Sequence, residues 1–134
     1  MDEKEIDINE IDKYINFYNM LSFSTAPWLA QGINTIVNLD TQVYSSISET
    51  IKSIKYLLHI GRINDAYTLL RKYYDSTMIN IYTNLYLLEN FSIENEIVAK
   101  IENWRRGIEK LPEYRIISQY INNSKNISEI NRIL

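Results

Sequence analysis

Apolar residues recur along this chain at spacings of three and four, the repeat that gathers side chains on one face of an α-helix. Ile8, Ile11, Ile15 and Tyr18 open the series. Ser22 to Thr25 interrupts it, and Pro27 suits the first turn of a new helix, where its missing N–H costs nothing. From 27 to 59 a second stripe holds Ile33, Ile36, Val43, Ile47, Ile51, Ile54 and Leu58. That stretch reads as one helix or two, and Asp40-Thr41, at a gap in the stripe, marks the expected break. Gly61 predicts a helix end, because glycine alone enters left-handed backbone cheaply.

Asn64 is the expected cap of a long third helix, from Asp65 to about Glu89, with Ala66, Leu70, Tyr73, Thr77, Ile81 and Leu88 along its inner face. Leu69, Ile79 and Leu85 broaden that face. So short a link between two long helices predicts an antiparallel hairpin. Ser92 opens a further segment carrying Ile93, Ile97, Ile101, Trp104, Ile108 and Leu111, and Pro112 stops it. Two shorter helices follow, Glu113–Asn122 and about Ile127–Leu134, the latter with an Asn126-to-Glu129 capping spacing. No alternating apolar–polar run suggests a strand. The expected fold is all-α, an up-and-down helical bundle built on a long antiparallel helix hairpin. It forms one domain over residues 1–134, with residues 1–6 frayed.

Composition sharpens this picture only in places. With 134 residues and 46% apolar content the chain has the means to bury a core. It holds no cysteine, so disulfides, thiolate metal sites and a cysteine nucleophile are excluded. The net charge of −3 is uneven: six acids among residues 1–13 face only Lys4 and Lys13, and the rest of the chain sums to +1. No broad positive field exists to attract a polyanion. No apolar run is long enough to span a membrane, and Met1-Asp2-Glu3-Lys4-Glu5 is no signal peptide, so a cytoplasmic protein is expected.

Candidate chemistry is sparse. His59, the single histidine, lies in the last turn of its helix, where the helix dipole favours a cation. No second imidazole accompanies it, so a capping or surface role is favoured over catalysis. Glu94, Glu96, Glu102 and Glu109 fall mostly off the apolar stripe of their segment, as a solvated face does. No cofactor and no metal site are expected. Arg105, Arg106 and Lys110, with Arg115, form the one basic cluster beside Trp104. They are candidates for weak phosphate contact, against a plainer reading in which Trp104 is core and the arginines pair with Glu102 and Glu109. Arg71 and Asp75 share a helix face. They are read as a polar pair, either exposed or turned inward with Asp40 as a second acid, which would make them costly and position-specific. Five of the eleven tyrosines, Tyr67, Tyr73, Tyr74, Tyr82 and Tyr86, crowd one helix and cannot all enter one core. Tyr74, Met78, Tyr82 and Tyr86 are therefore candidates for an interface, supporting a homodimer or a docked protein partner.

The run Ile60-Gly61-Arg62-Ile63-Asn64-Asp65-Ala66, followed by Leu69-Leu70-Arg71 and Asp75, resembles bacterial HEPN-like proteins. In that family two long helices meet at a short glycine-containing turn, and the second reads alanine, two apolars, arginine, three residues, acid. The resemblance covers roughly residues 40–125 and is carried by 60–75. It implies a place in abortive-infection or toxin–antitoxin systems, where many members are dimeric RNases. Helical-repeat proteins share the glycine turn and alanine, but a single copy with so long a second helix argues against a stacked array.

The family's RNases place a histidine a few residues after an arginine, whereas here His59 precedes all the arginines. Either the sequence is the N-terminal part of a longer protein, or this member lacks the RNase site. The primary expectation is a helical dimerisation or interaction domain of a defence or stress system. One alternative is an RNase completed by residues outside this chain or across a dimer, for which RNA would be the partner. The other is an unrelated helical adaptor.

Overall fold

The computed structural model describes residues 8–29, 36–90 and 99–128. A 3-10 turn, Ile8–Glu10, leads into five α-helices: α1 (Ile11–Leu29), α2 (Ile36–His59), α3 (Ile63–Asn90), α4 (Ala99–Arg105) and α5 (Tyr114–Asn123). There is no strand among the described residues, and the fold class is an all-α helical bundle. The chain forms two compact units, Met1–Ser76 and Thr77–Leu134.

In the first unit α1 and α2 pack along most of their length around Ile15, Tyr18, Ile47 and Ile51. Ile11, Leu21, Val43 and Tyr44 close around that core, and Tyr73 of α3 joins it. Ile11, Ile15, Tyr18, Val43, Ile47 and Ile51 are residues whose three-and-four spacing predicted two apolar faces, and Leu21 and Tyr44 add to them from outside those stripes. The tyrosines meet edge-on: Tyr18 and Tyr73 have ring centroids 6.0 Å apart at 84°, and their hydroxyls lie 3.2 Å apart. Tyr73 lies beyond the 60–62 turn yet packs beside Val43, Tyr44 and Ile47, so the start of α3 turns back towards the α1–α2 core.

The predicted break at Ser22–Thr25 does not occur, because α1 continues through it to Leu29. The hydroxyls there bond back within the helix rather than competing with it. Ser24 Oγ donates to the Leu21 carbonyl at 2.8 Å, and Thr25 Oγ1 reaches the Ser22 carbonyl at 3.0 Å. Two of them also fasten α1 to α2: Ser22 Oγ donates to the Thr41 carbonyl, and the Thr25 and Thr41 hydroxyls share a 2.6 Å bond. Thr41 is thus occupied across the seam. The break expected at Asp40-Thr41 is absent, and residue 40 lies inside α2. Further along, Ser48 is only 1% exposed and donates to Asn19 Oδ1 at 2.8 Å, so a small, satisfied polar side chain sits where the helices approach. Lys55 Nζ reaches Asp12 at 2.6 Å, a partly exposed pair of modest worth.

Gly61 ends α2 as expected, with φ +75°. Its N–H donates to the Leu58 carbonyl and the Arg62 N–H to the Leu57 carbonyl, the two bonds of a Schellman turn. The chain then enters α3 at once: the Ala66 N–H donates to the Arg62 carbonyl, so Arg62 rather than Asn64 stands at the cap.

In the second unit Tyr82 and Leu85 of α3 meet Ile117 and Ile121 of α5. Met78, Ile79, Ile81, Tyr86, Trp104, Tyr120 and Ile127 surround them. Helix α4 ends at Arg105, well before the expected stop at Pro112. The cause is Gly107, with φ +70°, whose N–H bonds the Trp104 carbonyl while the Ile108 N–H bonds that of Asn103. Ile108 and Leu111 are consequently exposed rather than continuing a stripe. Ser92, Ile93 and Ile97 lie outside the described residues. Helix α5 is displaced by one residue from its predicted bounds, and a final helical turn starts after Ser124, ahead of the predicted Asn126 cap. The rest of that predicted helix, 129–134, lies outside the described residues.

No atom stands within 4 Å of a methyl group built on Gly61, so replacing it with alanine tests backbone conformation alone. Gly61→Ala is expected to lower stability by about 1–2 kcal/mol, the cost of a β-carbon in left-handed backbone. Urea unfolding monitored by circular dichroism measures it.

Candidate functional site

Helix α3 carries apolar side chains on two sides. Over 63–74, Ala66 is 3% exposed, and Tyr73 is half-buried against the first unit's core. About 80° around the helix from these two, Ile63, Tyr67, Leu70 and Tyr74 follow at spacings of four, three and four, which aligns them in a straight row. They are 55%, 67%, 46% and 52% exposed. Scattered exposed apolar residues are ordinary, but a row in helical register is the pattern by which one helix presents itself to another. Arg71 borders the row, Asp75 and Lys72 lie further round the helix, and all three are exposed. At its start, Gly61, Arg62, Ile63, Asn64 and Asp65 line an open depression, with Arg62 Nε 2.5 Å from Asp65 Oδ2.

The interface residues expected from the sequence divide. Tyr74 lies in the exposed row. Met78 and Tyr86 are half-buried against the second unit's core, and Tyr82, 4% exposed, is part of that core and offers nothing to a partner. Ile63, Tyr67 and Leu70, which the sequence reading did not single out, are exposed beside Tyr74. Leu70 had been placed on the inner face with Ala66, four residues earlier. Where more than half of a helix's circumference is apolar, spacing alone does not say which apolar side chain belongs to which face.

The inward-facing network is not formed. Arg71 and Asp75 are both exposed, with no ion pair between them among the described residues. Asp40 is half-buried one turn before Tyr44, where burial first and then the Asp40 charge push the Tyr44 hydroxyl above the usual tyrosine range.

Two arginines of the basic cluster converge on one carboxylate, Glu102 of α4. Arg105 grips Glu102 through two bonds of 2.8 and 2.6 Å, and Arg106 Nε lies 3.6 Å from the same carboxylate. The Arg105 hydrogen bond is the main cause holding the Glu102 carboxyl below its ordinary range. Glu109, expected to pair with an arginine, lies 3.7 Å from Lys100 instead. Lys110 and Arg115 are exposed. His59 is exposed at the end of α2, and among the described residues no group of three or more histidines and acids is placed to hold a metal ion.

Trp104 packs with Tyr86 and Tyr82 at centroid distances of 5.1 and 5.5 Å, and Tyr120 stands edge-on to Tyr82 at 5.0 Å. Rings this close fill the space between them and leave no cage for a ligand. The Tyr120 hydroxyl donates to Glu89 Oε2, and burial, reinforced by that bond, raises its pKa. Burial likewise raises that of Tyr82.

Compared with known proteins, the chain matches no family model, no curated protein and no solved structure.

Two outcomes follow from this geometry. Arg71→Ala should change stability by less than about 0.5 kcal/mol, since an exposed, unpaired side chain leaves no buried charge behind. A thermal melt of the single variant checks it. Because the folded-state pKa values of Tyr44, Tyr82 and Tyr120 lie above the model-peptide value of 10.0, the folded chain holds these protons more tightly than the unfolded one. The resulting stability is full below pH 10 and is lost as pH rises through the folded values. Urea midpoints from pH 8 to 11, followed alongside tyrosinate absorbance, should therefore fall only in the upper part of that range.

Proposed function

We propose that this chain is a helical interaction module that binds protein through the outward face of α3, and that it serves a bacterial defence or stress system as HEPN-like proteins do. The observation that carries the binding role is the exposed row Ile63, Tyr67, Leu70 and Tyr74 on a helix that packs into the first unit's core through Tyr73 on an adjacent face. Tyrosine gives such a face a large, stiff contact area with few rotatable bonds to immobilise, and its hydroxyl tolerates water in the unbound state. The glycine turn, the cap at Arg62 and the buried Ala66 hold the row on a rigid element, so little ordering is required when a partner arrives. The defence context rests on the resemblance over residues 60–75.

The test is affinity capture with the purified chain as bait, using Leu70→Glu/Tyr74→Glu as control. Retention of a protein, or of a second copy, by the wild type and not by the folded control supports the reading. An identical set of retained proteins for both baits, with no self-association, sinks it. Incubation of the same preparations with RNA belongs to the experiment, because cleavage by the wild type would replace a binding role with an enzymatic one.

A further inference from the structure

We infer that the partner of the α3 face is a second copy of this chain, laid antiparallel so that Ile63 meets the second copy's Tyr74 and Tyr67 meets its Leu70. This rests on the binding role proposed above. The row reads aliphatic, aromatic, aliphatic, aromatic. Reversed against itself it sets an aliphatic side chain opposite a tyrosine in all four layers, the large-against-small alternation that packs without voids. A parallel pairing would set Tyr67 on Tyr67 and Leu70 on Leu70, and would bring like ends of the two helix dipoles together.

Two features of the chain match the antiparallel register. The depression lined by Gly61 to Asp65 falls level with the second copy's Tyr74, which gives that ring a place to enter. Asp75 falls level with the first turn of the opposing α3, whose N–H groups lack partners within the helix and carry its positive dipole end. A carboxylate is the charge that position favours, and two-fold symmetry supplies the arrangement twice. The flank carrying Arg71 meets Asn64 and Thr68, so no cation opposes another. The four side chains expose roughly 400 Å² together, about half of the ~800 Å² that each partner gives to a standard interface, which places this dimer in the weak class.

The absence of cysteine makes the register directly readable. Ile63 and Tyr74 are about 16 Å apart along one helix, far beyond the ~7 Å that a disulfide spans, so an Ile63→Cys/Tyr74→Cys chain cannot close on itself. Mild oxidation is expected to link this double variant into a dimer and to leave each single variant monomeric on a denaturing gel. Sedimentation of the wild type should show reversible dimerisation that Leu70→Glu weakens by about 30-fold or more, with an unchanged circular dichroism spectrum. Linking by either single variant would overturn the antiparallel register. A wild type that sediments as a monomer at several hundred micromolar would overturn self-pairing. If that monomer still captured another protein in an α3-dependent way, the binding role would survive without the second copy. If it captured nothing, both would fall.

Discussion

The left-handed turn at Gly61 governs what α3 can do. An α-helix has one circumference to divide between its own fold and the outside, and the angle at which the chain leaves α2 fixes that division. With the Gly61 and Arg62 N–H groups bonded to the last carbonyls of α2, α3 starts with no slack between the helices. Tyr73 is thereby brought to the core around Tyr18 and Ala66 is buried, while Ile63, Tyr67, Leu70 and Tyr74 stay exposed. A longer linker would let α3 rotate about its axis and bury part of the outer row. The exposed face is a consequence of a tight turn as much as of the side chains upon it.

The α1–α2 seam shows how much of this was legible beforehand. The apolar members, Ile15, Tyr18, Ile47 and Ile51, follow directly from helical spacing, because transfer out of water scales with area and area is readable from residue type. The seam's polar members were not. Ser22, Thr25, Thr41 and Ser48 look like breakers or caps when seen singly, since a hydroxyl that bonds its own backbone serves a helix end as well as a helix interior. Their actual roles depend on which carbonyl or hydroxyl the neighbouring helix brings near, and that partner is far away in sequence. The false break at Ser22–Thr25 and the false cap at Asp40-Thr41 share this origin.

Gly107 is a different kind of omission. Its chemistry is that of Gly61, and both build the same turn. The unbroken apolar spacing from Ile101 through Trp104 to Ile108 and Leu111 outweighed it, although a left-handed residue ends a helix whatever pattern follows. At the candidate site the difficulty was reversed. The tyrosines of α3 were rightly seen as too many for one core, but that excess did not say which would stay outside. Tyr82 went to the core of the second unit and Tyr67 to the surface, a choice made by helices whose positions the local sequence does not contain.

Exposure alone does not single out α3, since α1 also shows Tyr14, Phe17, Met20 and Phe23 to solvent. The distinction lies in spacing. Residues three apart on an α-helix are rotated by about −60° from one another, so a succession of threes winds around the axis and spreads over half the circumference. A straight partner meets one or two such side chains and then loses the rest. Alternating fours and threes nearly cancel that drift, and the row on α3 stays within reach of a second helix over its whole length. The α1 residues account for their exposure as individual side chains around a helix packed on one face. Those on α3 form one continuous exposed surface in register for a second helix.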